Sequence, residues 1–260
     1  MPGGGGKSAG VIPSMGRARE GFPRNARHVT KLTNGTPIAW TLAAEWWNDG
    51  RMSQVTCDLT ISLDGFVAGP NQSLAEPLGE GGELLHRWQF EEPESNAAAL
   101  EGILAAGAYI MGRNMFAGPG AWDEEWRGWW GEEPPYHAPV FVLTHHRRRP
   151  LEMQGGTTFN FVTDGVESAL DQARKAAGSK DVAIAGGAQT VRQFLSAGLI
   201  DELRLHIAPI VLGAGERLLD GVGNLQLEPT EVSGTGLVTH VRYRVVRTGS
   251  RATTEKNGGV

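Results

Sequence analysis

The amino-acid sequence predicts an α/β fold with a mostly parallel central sheet. Short apolar or alternating runs, which are typical of strands, are separated by stretches with helical periodicity. That order is characteristic of parallel sheets with helices on both faces. The last two runs, Leu225 to Val232 and Leu237 to Val246, flank a Ser-Gly-Thr-Gly turn. They predict an antiparallel hairpin at the C-terminal end of the fold.

Composition excludes several classes of protein. The chain has 260 residues, 40% of them hydrophobic, and can bury one substantial core. Its net charge of −5 argues against a general nucleic-acid-binding protein. Cys57 is the only cysteine, which excludes an internal disulfide and a cysteine-based zinc site. Because no apolar run reaches the ~20 residues that span a bilayer and no signal peptide is evident, we expect a cytoplasmic protein without a membrane partner.

The N-terminal residues differ in composition from the rest. They are rich in glycine, proline and arginine without strand or helix periodicity, which predicts a disordered or loosely docked extension over residues 1–51. A P-loop at Gly6, Lys7 and Ser8 is excluded, because Met1 stands where the motif needs its first glycine. We therefore place the folded domain at residues 52–248 and a disordered tail at 249–260.

The stretch from Asp181 to Leu195 predicts a strand, a glycine turn and a helix. Gly186 and Gly187 lack a Cβ, so a phosphate can approach the main chain closely at the turn. The helix that begins near Ala188 directs N–H groups and the positive end of its dipole toward the same place. The turn is a candidate pyrophosphate site, although tight packing of strand against helix would explain the same glycines.

Two further strands end in glycine or basic residues. The strand Ala108 to Met111 leads into Gly112 and Arg113, a pair suited to a phosphate. The strand that ends at Thr144 leads into His145 to Arg149, which is either a solvated turn or a cradle for the phosphate that distinguishes NADPH from NADH. We expect no metal at the two histidines, because adjacent residues rarely bind one ion without a further ligand. Parallel sheets bind ligands at these strand ends.

The N-terminal part of the domain predicts a lid and a pocket wall. Residues 54–62 alternate between apolar and polar, which predicts a half-buried strand, and residues 66–70 continue it as a loop that we interpret as a lid. Leu85, Trp88 and Phe90 of the next amphipathic segment are large enough to line a pocket and equally suit an ordinary core. We take Trp88 and Phe90 as the substrate-binding candidates.

Five segments together carry a family resemblance: SLDGFVAG at 62–69, YIMGR at 109–113, VFVLT at 140–144, AGGAQT at 185–190 and LIDELRLHIAPIVLGAGERLL at 199–219. They resemble the dihydrofolate-reductase-like family, above all the C-terminal reductase domain of the bifunctional riboflavin-biosynthesis deaminase-reductase. The resemblance covers about Met52 to Arg247. It implies a three-layer fold and an NADPH-dependent homodimeric reductase of a small heterocyclic or carbonyl substrate, as in 5-amino-6-(5-phosphoribosylamino)uracil reduction.

The resemblance also implies roles for individual residues. Asp64 matches the loop that closes over nicotinamide and substrate, and is the expected catalytic residue. Asp201 and Glu202 match a frequent element of the family, but their place between helix and strand favours a structural capping role. The implied cofactor-binding residues are Gly65, Gly112, Arg113, Thr144, His145, His146, Arg147, Gly186, Gly187, Ala188, Gln189 and Thr190.

Two departures from related enzymes narrow the function. Dihydrofolate reductases place a carboxylate four residues before an aromatic residue of the first helix, whereas His86 stands there before Phe90. A dihydrofolate reductase is therefore a weaker alternative. The zinc signature of the nucleobase deaminases is absent, so the chain is not the bifunctional enzyme. The remaining alternative is a non-catalytic nucleotide-binding module, since a fold does not fix a function.

Overall fold

The structure is a computed structural model that describes residues 53–120, 123 and 125–246. The predicted N-terminal extension and C-terminal tail lie outside the described residues. The strands are β1 (Val55–Ser62), β2 (Phe66–Ala68), β3 (Ala108–Gly112), β4 (Pro139–Leu143), β5 (Leu151–Glu152), β6 (Thr158–Val162), β7 (Val182–Gly186), β8 (Glu202–Ala208), β9 (Glu216–Arg217), β10 (Gln226–Gly234) and β11 (Thr239–Val246). The α-helices are α1 (Arg87–Glu91), α2 (Ala97–Ile103), α3 (Arg113–Ala117), α4 (Gly165–Ala177) and α5 (Ala188–Ser196), with 3₁₀ turns at Gly82–His86 and Gln154–Gly156.

Nine strands of the described residues form one sheet in the order β10-β11-β8-β1-β7-β3-β4-β6-β5. The six strands from β8 to β6 in this order run parallel to their neighbours. The hairpin of β10 and β11 adds antiparallel to β8, and β5 adds antiparallel to β6. The predicted mostly parallel sheet with a C-terminal antiparallel hairpin is confirmed.

One face of the sheet carries the larger hydrophobic core. Alternate residues of β1, including Val55, Cys57 and Ile61, pack there with α4 and α5. Helix α4 buries Ala169, Leu170, Ala173 and Ala177, the spacing of a helix with one apolar stripe. It ends at Gly178, whose φ of 63° is readily adopted by glycine. The alternation in the sequence thus marks the face of β1 that packs against α4 and α5.

The other face holds a smaller apolar cluster and the helices α1 and α2. Tyr109 and Met111 of β3 pack with Val140 and Phe159 of the neighbouring strands. Farther along this face, the side chain of Trp88 from α1 lies against β1 and β8. Helices cover both faces, as the resemblance implies. No described helix is long and apolar enough to cross a membrane.

The prediction of a loop at residues 66–70 is wrong for its first three residues. Phe66–Ala68 forms β2, which pairs antiparallel with β9 in a separate two-stranded sheet. The guanidinium of Arg217 lies 4.4 Å from the centre of the Phe66 ring and adds a cation–π contact. Residues about 150 positions apart make this pairing, so no local pattern could reveal it.

The two edges of the main sheet are irregular. On one side β10 is almost entirely exposed, and a bulge interrupts its pairing with β11 between Pro229 and Glu231. On the other side β5 contributes the two residues Leu151–Glu152. The regular part of the sheet therefore lies in its six parallel strands.

The carboxyl end of β3 touches the first turn of α5. A Cβ at Gly112 would lie 2.3 Å from Oγ1 of Thr190, much closer than side-chain atoms approach. Thr190 is buried, and its branched side chain has little freedom to move away. The same Cβ position is 3.7 Å from the backbone nitrogen of Gly187. The missing side chain at Gly112 thus lets β3 and α5 converge.

We predict that Gly112→Ala lowers the free energy of unfolding by ~1–3 kcal/mol, because the added methyl group overpacks this contact. Adding Thr190→Ala should restore much of the loss, since the next Thr190 atom, Cβ, is 3.6 Å away. Urea unfolding of both single variants and the double variant gives the coupling. Strictly additive effects of the two changes would contradict the contact.

Candidate functional site

The predicted cofactor segments meet at the carboxyl edge of the parallel sheet. Strands β7, β3 and β4 are neighbours, with Met111 paired to Gly186 and Gly112 paired to Leu143. The turn before α5, the start of α3 and the basic segment after β4 therefore follow three adjacent strand ends. Strand β1 runs parallel to β7, so the loop after β1 leaves the sheet on the same side. The topology brings together the segments that the sequence analysis selected.

The two glycines before α5 have different surroundings. The peptide bond between Gly186 and Gly187 is cis. Gly186 has a φ of 127°, which favours glycine, and a Cβ there would approach Sδ of Met115 at 3.2 Å. Gly187 has an extended backbone with a φ of −70°, and a Cβ there would have no atom within 4 Å. Packing therefore explains Gly186, whereas the space at Gly187 is open to a ligand.

Helix α5 begins directly after this open position. Ala188 and Thr190 are buried, and Gln189 is exposed. No side chain caps the first turn of the helix. Its leading N–H groups carry the positive end of the helix dipole, which favours an anion. Of the implied cofactor residues here, Gly187 and Gln189 are therefore the ones that a bound anion could reach most easily.

Arg113, the first residue of α3, supports the loop that follows this helix. Its Nη1 donates to the carbonyl oxygen of Gly118 at 3.1 Å and to Oδ1 of Asn114 at 3.2 Å. Its Nη2 donates to the carbonyl oxygen of Gly120. The guanidinium predicted to bind phosphate thus also orders the chain beside the strand end.

The basic segment after β4 separates into exposed and packed residues. Thr144 is buried, and its Oγ1 accepts a hydrogen bond of 3.0 Å from the backbone N–H of His146. The side chains of His145, His146 and Arg147 are exposed. The guanidinium of Arg148 instead lies 5.1 Å from the Phe161 ring centre. Arg147 and Arg149 are therefore exposed to a ligand in solution, whereas Arg148 is packed.

Asp64 joins the loop after β1 to the loop after β8. Its carboxylate accepts hydrogen bonds from the Ser62 hydroxyl at 2.6 Å and from the backbone N–H groups of Leu212 and Gly213 at 3.1 and 2.8 Å. The Ser62 contact above all, with the two amides, lowers the Asp64 pKa to about 2. The group is ionised at neutral pH, and the next residue, Gly65, has a φ of 88° that suits glycine. The catalytic role of Asp64 stays a prediction. Its low pKa favours a role in positioning the loops over a role as proton donor.

The two substrate-binding candidates differ in exposure. Trp88 is fully buried, and its Nε1 donates to Oγ1 of Thr60 at 3.3 Å. Its ring centre lies 5.0 Å from the ring centres of His206 and His240. Phe90 is 44% exposed. Trp88 therefore serves the core in this structure, Phe90 can meet a ligand, and substrate contact by either stays a prediction.

Asp201 and Glu202 make the structural contacts that their position predicts. Oδ2 of Asp201 accepts a hydrogen bond of 2.9 Å from the backbone N–H of Val55, the first residue of β1. Oε1 of Glu202 accepts one of 2.6 Å from Nε of Arg204. Both carboxylates thus act at the start of paired strands, at the opposite end from the candidate cofactor turns.

A buried polar cluster next to Trp88 is not evident from the sequence pattern. Asp58 lies in the middle of β1 with a side chain that is 7% exposed, 3.5 Å from the Arg204 guanidinium. Nδ1 of His206 is 2.7 Å from Nδ1 of His240. The polar half of the alternating pattern suggested a solvent-facing side of the strand, whereas α1 and α2 cover it. No group of three or more His, Cys, Asp or Glu residues in the described part of the chain is placed to hold a metal.

The comparisons with known proteins identify the family. Residues 53–241 match the model of the RibD C-terminal domain. The chain belongs to this family. The uncharacterized protein YyaP of Bacillus subtilis (strain 168) is 25% identical over 203 residues, which span 75% of this chain and 97% of that protein.

Solved structures of other proteins are similar to this chain to different degrees. A protein of Shewanella sp. PV-4, provisionally assigned to riboflavin biosynthesis, is 22% identical with a TM-score of 0.53, covering 75% of this chain and 99% of that chain. A diaminohydroxyphosphoribosylaminopyrimidine deaminase/5-amino-6-(5-phosphoribosylamino)uracil reductase of Thermotoga maritima is 15% identical with a TM-score of 0.47, covering 75% of this chain and 57% of that chain. The family and fold that the resemblance implied are confirmed.

Three histidines with lowered pKa values should make the free energy of unfolding fall as the pH becomes acidic. Burial lowers the pKa of His86 to about 4 and that of His206 to about 3, and it also lowers the pKa of His240. A histidine whose pKa is lowered in the folded protein contributes stability that is fully present above its unfolded-state pKa of ~6.5. This contribution is lost as the pH falls toward the folded-state pKa. Burial raises the pKa of Asp58 to about 6. The folded protein therefore binds one proton more readily at Asp58 than the unfolded chain does, which partly offsets the loss of stability.

We therefore expect a lower free energy of unfolding at about pH 5 than at about pH 7.5. The slope of this free energy against pH should correspond to the uptake of up to about two protons on unfolding. Urea unfolding across this range measures the slope. His240→Gln should reduce this slope, because burial lowers the pKa of His240 in the folded protein. Stability that increases toward acid pH would show that these histidines become charged in the folded protein.

Proposed function

We propose that the protein is an NADPH-dependent reductase that transfers hydride to a small heterocyclic or carbonyl substrate, of the 5-amino-6-(5-phosphoribosylamino)uracil reductase type. The proposal includes the homodimer that the family resemblance implies. The observation that most directly supports the reductase assignment is the open backbone position at Gly187, at the start of α5. Membership in the RibD C-terminal domain family supports the same assignment.

The residues at the sheet edge suit the phosphates of this cofactor. Gly187 and the first turn of α5 would hold the pyrophosphate, because no side chain occupies that space and the helix end favours negative charge. Thr144 and the exposed residues His145 to Arg147 would hold the phosphate on the adenosine ribose. When bound, the nicotinamide supplies the hydride, and the protein supplies orientation and electrostatics.

Asp64 would serve this reaction by holding two loops in place. Its ionised carboxylate fastens the chain after β1 to Leu212 and Gly213 after β8. Because these loops follow adjacent parallel strands, the link would fix the wall of the site next to the nicotinamide and limit the entry of water. A group whose pKa is about 2 carries no proton to donate at neutral pH. The proton of the reduction would then come from another group or from solvent.

Turnover separates an enzyme from a nucleotide-binding module on the same fold. Purified protein is mixed with NADPH and candidate substrates, and the loss of the absorbance of reduced nicotinamide is followed. Oxidation that requires both protein and substrate supports the reductase. Saturable NADPH binding without oxidation for any amino-pyrimidine or carbonyl substrate supports the module. Absence of binding to either nicotinamide cofactor contradicts the proposal.

We predict that Gly187→Val folds normally and binds NADPH at least about tenfold more weakly, a loss of ~1.4 kcal/mol. The backbone at Gly187 is accessible to any residue, and its surroundings leave room for the side chain. Thermal unfolding and a cofactor titration are measured on the same preparation. The control is Gly186→Ala, which should destabilise the fold because of its φ and its contact with Met115. Unchanged NADPH affinity in folded Gly187→Val would remove the pyrophosphate assignment.

We predict that Arg147→Ala weakens NADPH binding by roughly ten- to a hundredfold, since a hydrogen bond to a charged group contributes about 1.5–3 kcal/mol. NADH binding should hardly change, because NADH lacks the second ribose phosphate. Arg148→Ala is the matched control: it removes a guanidinium packed on Phe161 and should lower stability more than cofactor selectivity. Equal weakening of both cofactors by Arg147→Ala would place the ribose phosphate elsewhere.

A further inference from the structure

The turn after β1 is held by hydrogen bonds on several sides. The amide N–H of Gly65 donates to the carbonyl oxygen of Ser62 at 3.0 Å, and the carbonyl oxygen of Gly65 accepts from the amide of Leu218 at 3.1 Å. The carbonyl oxygen of Asp64 accepts a hydrogen bond of 3.1 Å from Nη1 of Arg217. Arg217 thus binds the turn with its side chain, whereas the other described bonds from the chain after β8 to Asp64 and Gly65 come from backbone N–H groups.

Arg217 is itself held by the residue that follows the turn. Its guanidinium lies 4.4 Å from the centre of the Phe66 ring, and a cation over an aromatic face is attracted by the ring. Phe66 is buried and offers a fixed surface. The backbones of the two residues also pair directly where β9 meets β2. Although the side chain of Arg217 is exposed, these contacts limit the directions that it can take.

The strand that carries Arg217 is anchored on helix α5. Nη1 of Arg192, in the second turn of α5, donates to the carbonyl oxygen of Arg217. Nη2 of the same guanidinium lies 3.6 Å from Oε1 of Glu216, the other residue of β9. The planar fork of N–H donors on a guanidinium allows one arginine to bind both groups. One side chain of α5 therefore contacts both residues of β9.

The two arginines connect the two ends of the proposed cofactor site. Helix α5 begins directly after Gly187, the candidate pyrophosphate position, and Arg192 joins this helix to β9. Arg217 joins β9 to the turn at Asp64. Hydride transfer requires the reacting atoms to approach to ~3–3.5 Å, and a displacement of ~1 Å can lower a rate about a hundredfold. The distance between the two ends is therefore a quantity on which such a reaction depends.

We propose that Arg217 is a positioning residue of the reductase site and that Arg192 supports it. Arg217 would hold the turn at Asp64 and Gly65, which the family resemblance assigns to the loop over the nicotinamide, at a fixed distance from the pyrophosphate on α5. The proposal rests on the proposed reductase function. Neither arginine is among the residues assigned to the cofactor phosphates, so neither needs to touch the cofactor.

The first test measures positioning without any assay of function. Hydrogen exchange followed by NMR reports the local opening of single amides in the folded full chain. In Arg217→Ala we expect the amides of Gly65 and Leu218 to exchange at least about tenfold faster, because the turn has lost a contact with β9. Arg192→Ala should accelerate exchange at Leu218, whose strand loses its anchor on α5. Unchanged exchange at both amides in Arg217→Ala would overturn the proposal.

Arg244→Ala is the matched control for these changes. It removes an exposed arginine that pairs with Glu228 across the C-terminal hairpin. The exchange rates at the turn after β1 should stay as they are in the parent protein. Faster exchange at the turn in this variant as well would show a general loosening of the fold and would overturn the specific role of Arg217.

The second test separates positioning from cofactor binding. For Arg217→Ala we expect kcat to fall at least about tenfold while the Kd for NADPH stays within about twofold of the parent, because the cofactor phosphates bind other residues. Arg217→Lys keeps a donor and a positive charge near Phe66 and should retain most of the parent kcat. If kcat and NADPH affinity fall together, in proportion to lost stability, the role of Arg217 is structural and the proposal is wrong.

The double variant tests whether the two arginines act through one connection. Because Arg192 acts through the strand of Arg217, adding Arg192→Ala to Arg217→Ala should lower kcat little further. Losses that multiply would show two independent effects and would overturn the role of Arg192. If the parent protein neither binds nor oxidises NADPH, the proposed function fails, and the hydrogen-exchange result alone decides whether the arginines position the turn.

Discussion

The contact between Gly112 and Thr190 determines how the candidate cofactor site is assembled. With no side chain at the end of β3, the first turn of α5 can lie against that strand end, and the open backbone at Gly187 comes beside it. The register of β3 with β4 then places the basic segment next to the same point. A single missing Cβ thus allows two candidate phosphate-binding turns to share one sheet edge, where parallel sheets commonly bind ligands.

Local sequence patterns were sufficient for the regular part of the fold. The alternation in β1 depends on neighbouring residues, and it correctly marks the face that packs against α4 and α5. The half-buried strand that it predicts is wrong for the other face, where Thr56, Thr60 and Ser62 are buried as well. The pairing of β2 with β9 and the grip of Asp64 on Gly213 involve residues about 150 positions apart. Such contacts depend on the folded topology, so a motif can mark Asp64 as important without showing what it holds.

Residue types alone did not show which of two adjacent residues in a motif can contact a ligand. Gly186 and Gly187 look equivalent in the sequence, yet only Gly186 has a backbone angle and a contact that demand glycine. Arg147 and Arg148 look equivalent, yet Arg148 is packed against an aromatic ring while Arg147 is exposed. Likewise, Asp58 reads as a polar residue on a half-exposed strand until α1 and α2 cover it. In each case the surroundings of the residue in the folded chain, which the local pattern leaves open, decide its role.

The irregular edges of the main sheet bear on how the protein behaves at high concentration. A long, regular edge strand offers a row of unpaired N–H and C=O groups to which another chain can add. Here one edge is only two residues long, and the other contains a proline and a bulge. These features shorten any stretch over which a second chain could continue the hydrogen-bonding pattern. The described domain should therefore resist the edge-to-edge aggregation to which open sheets are prone.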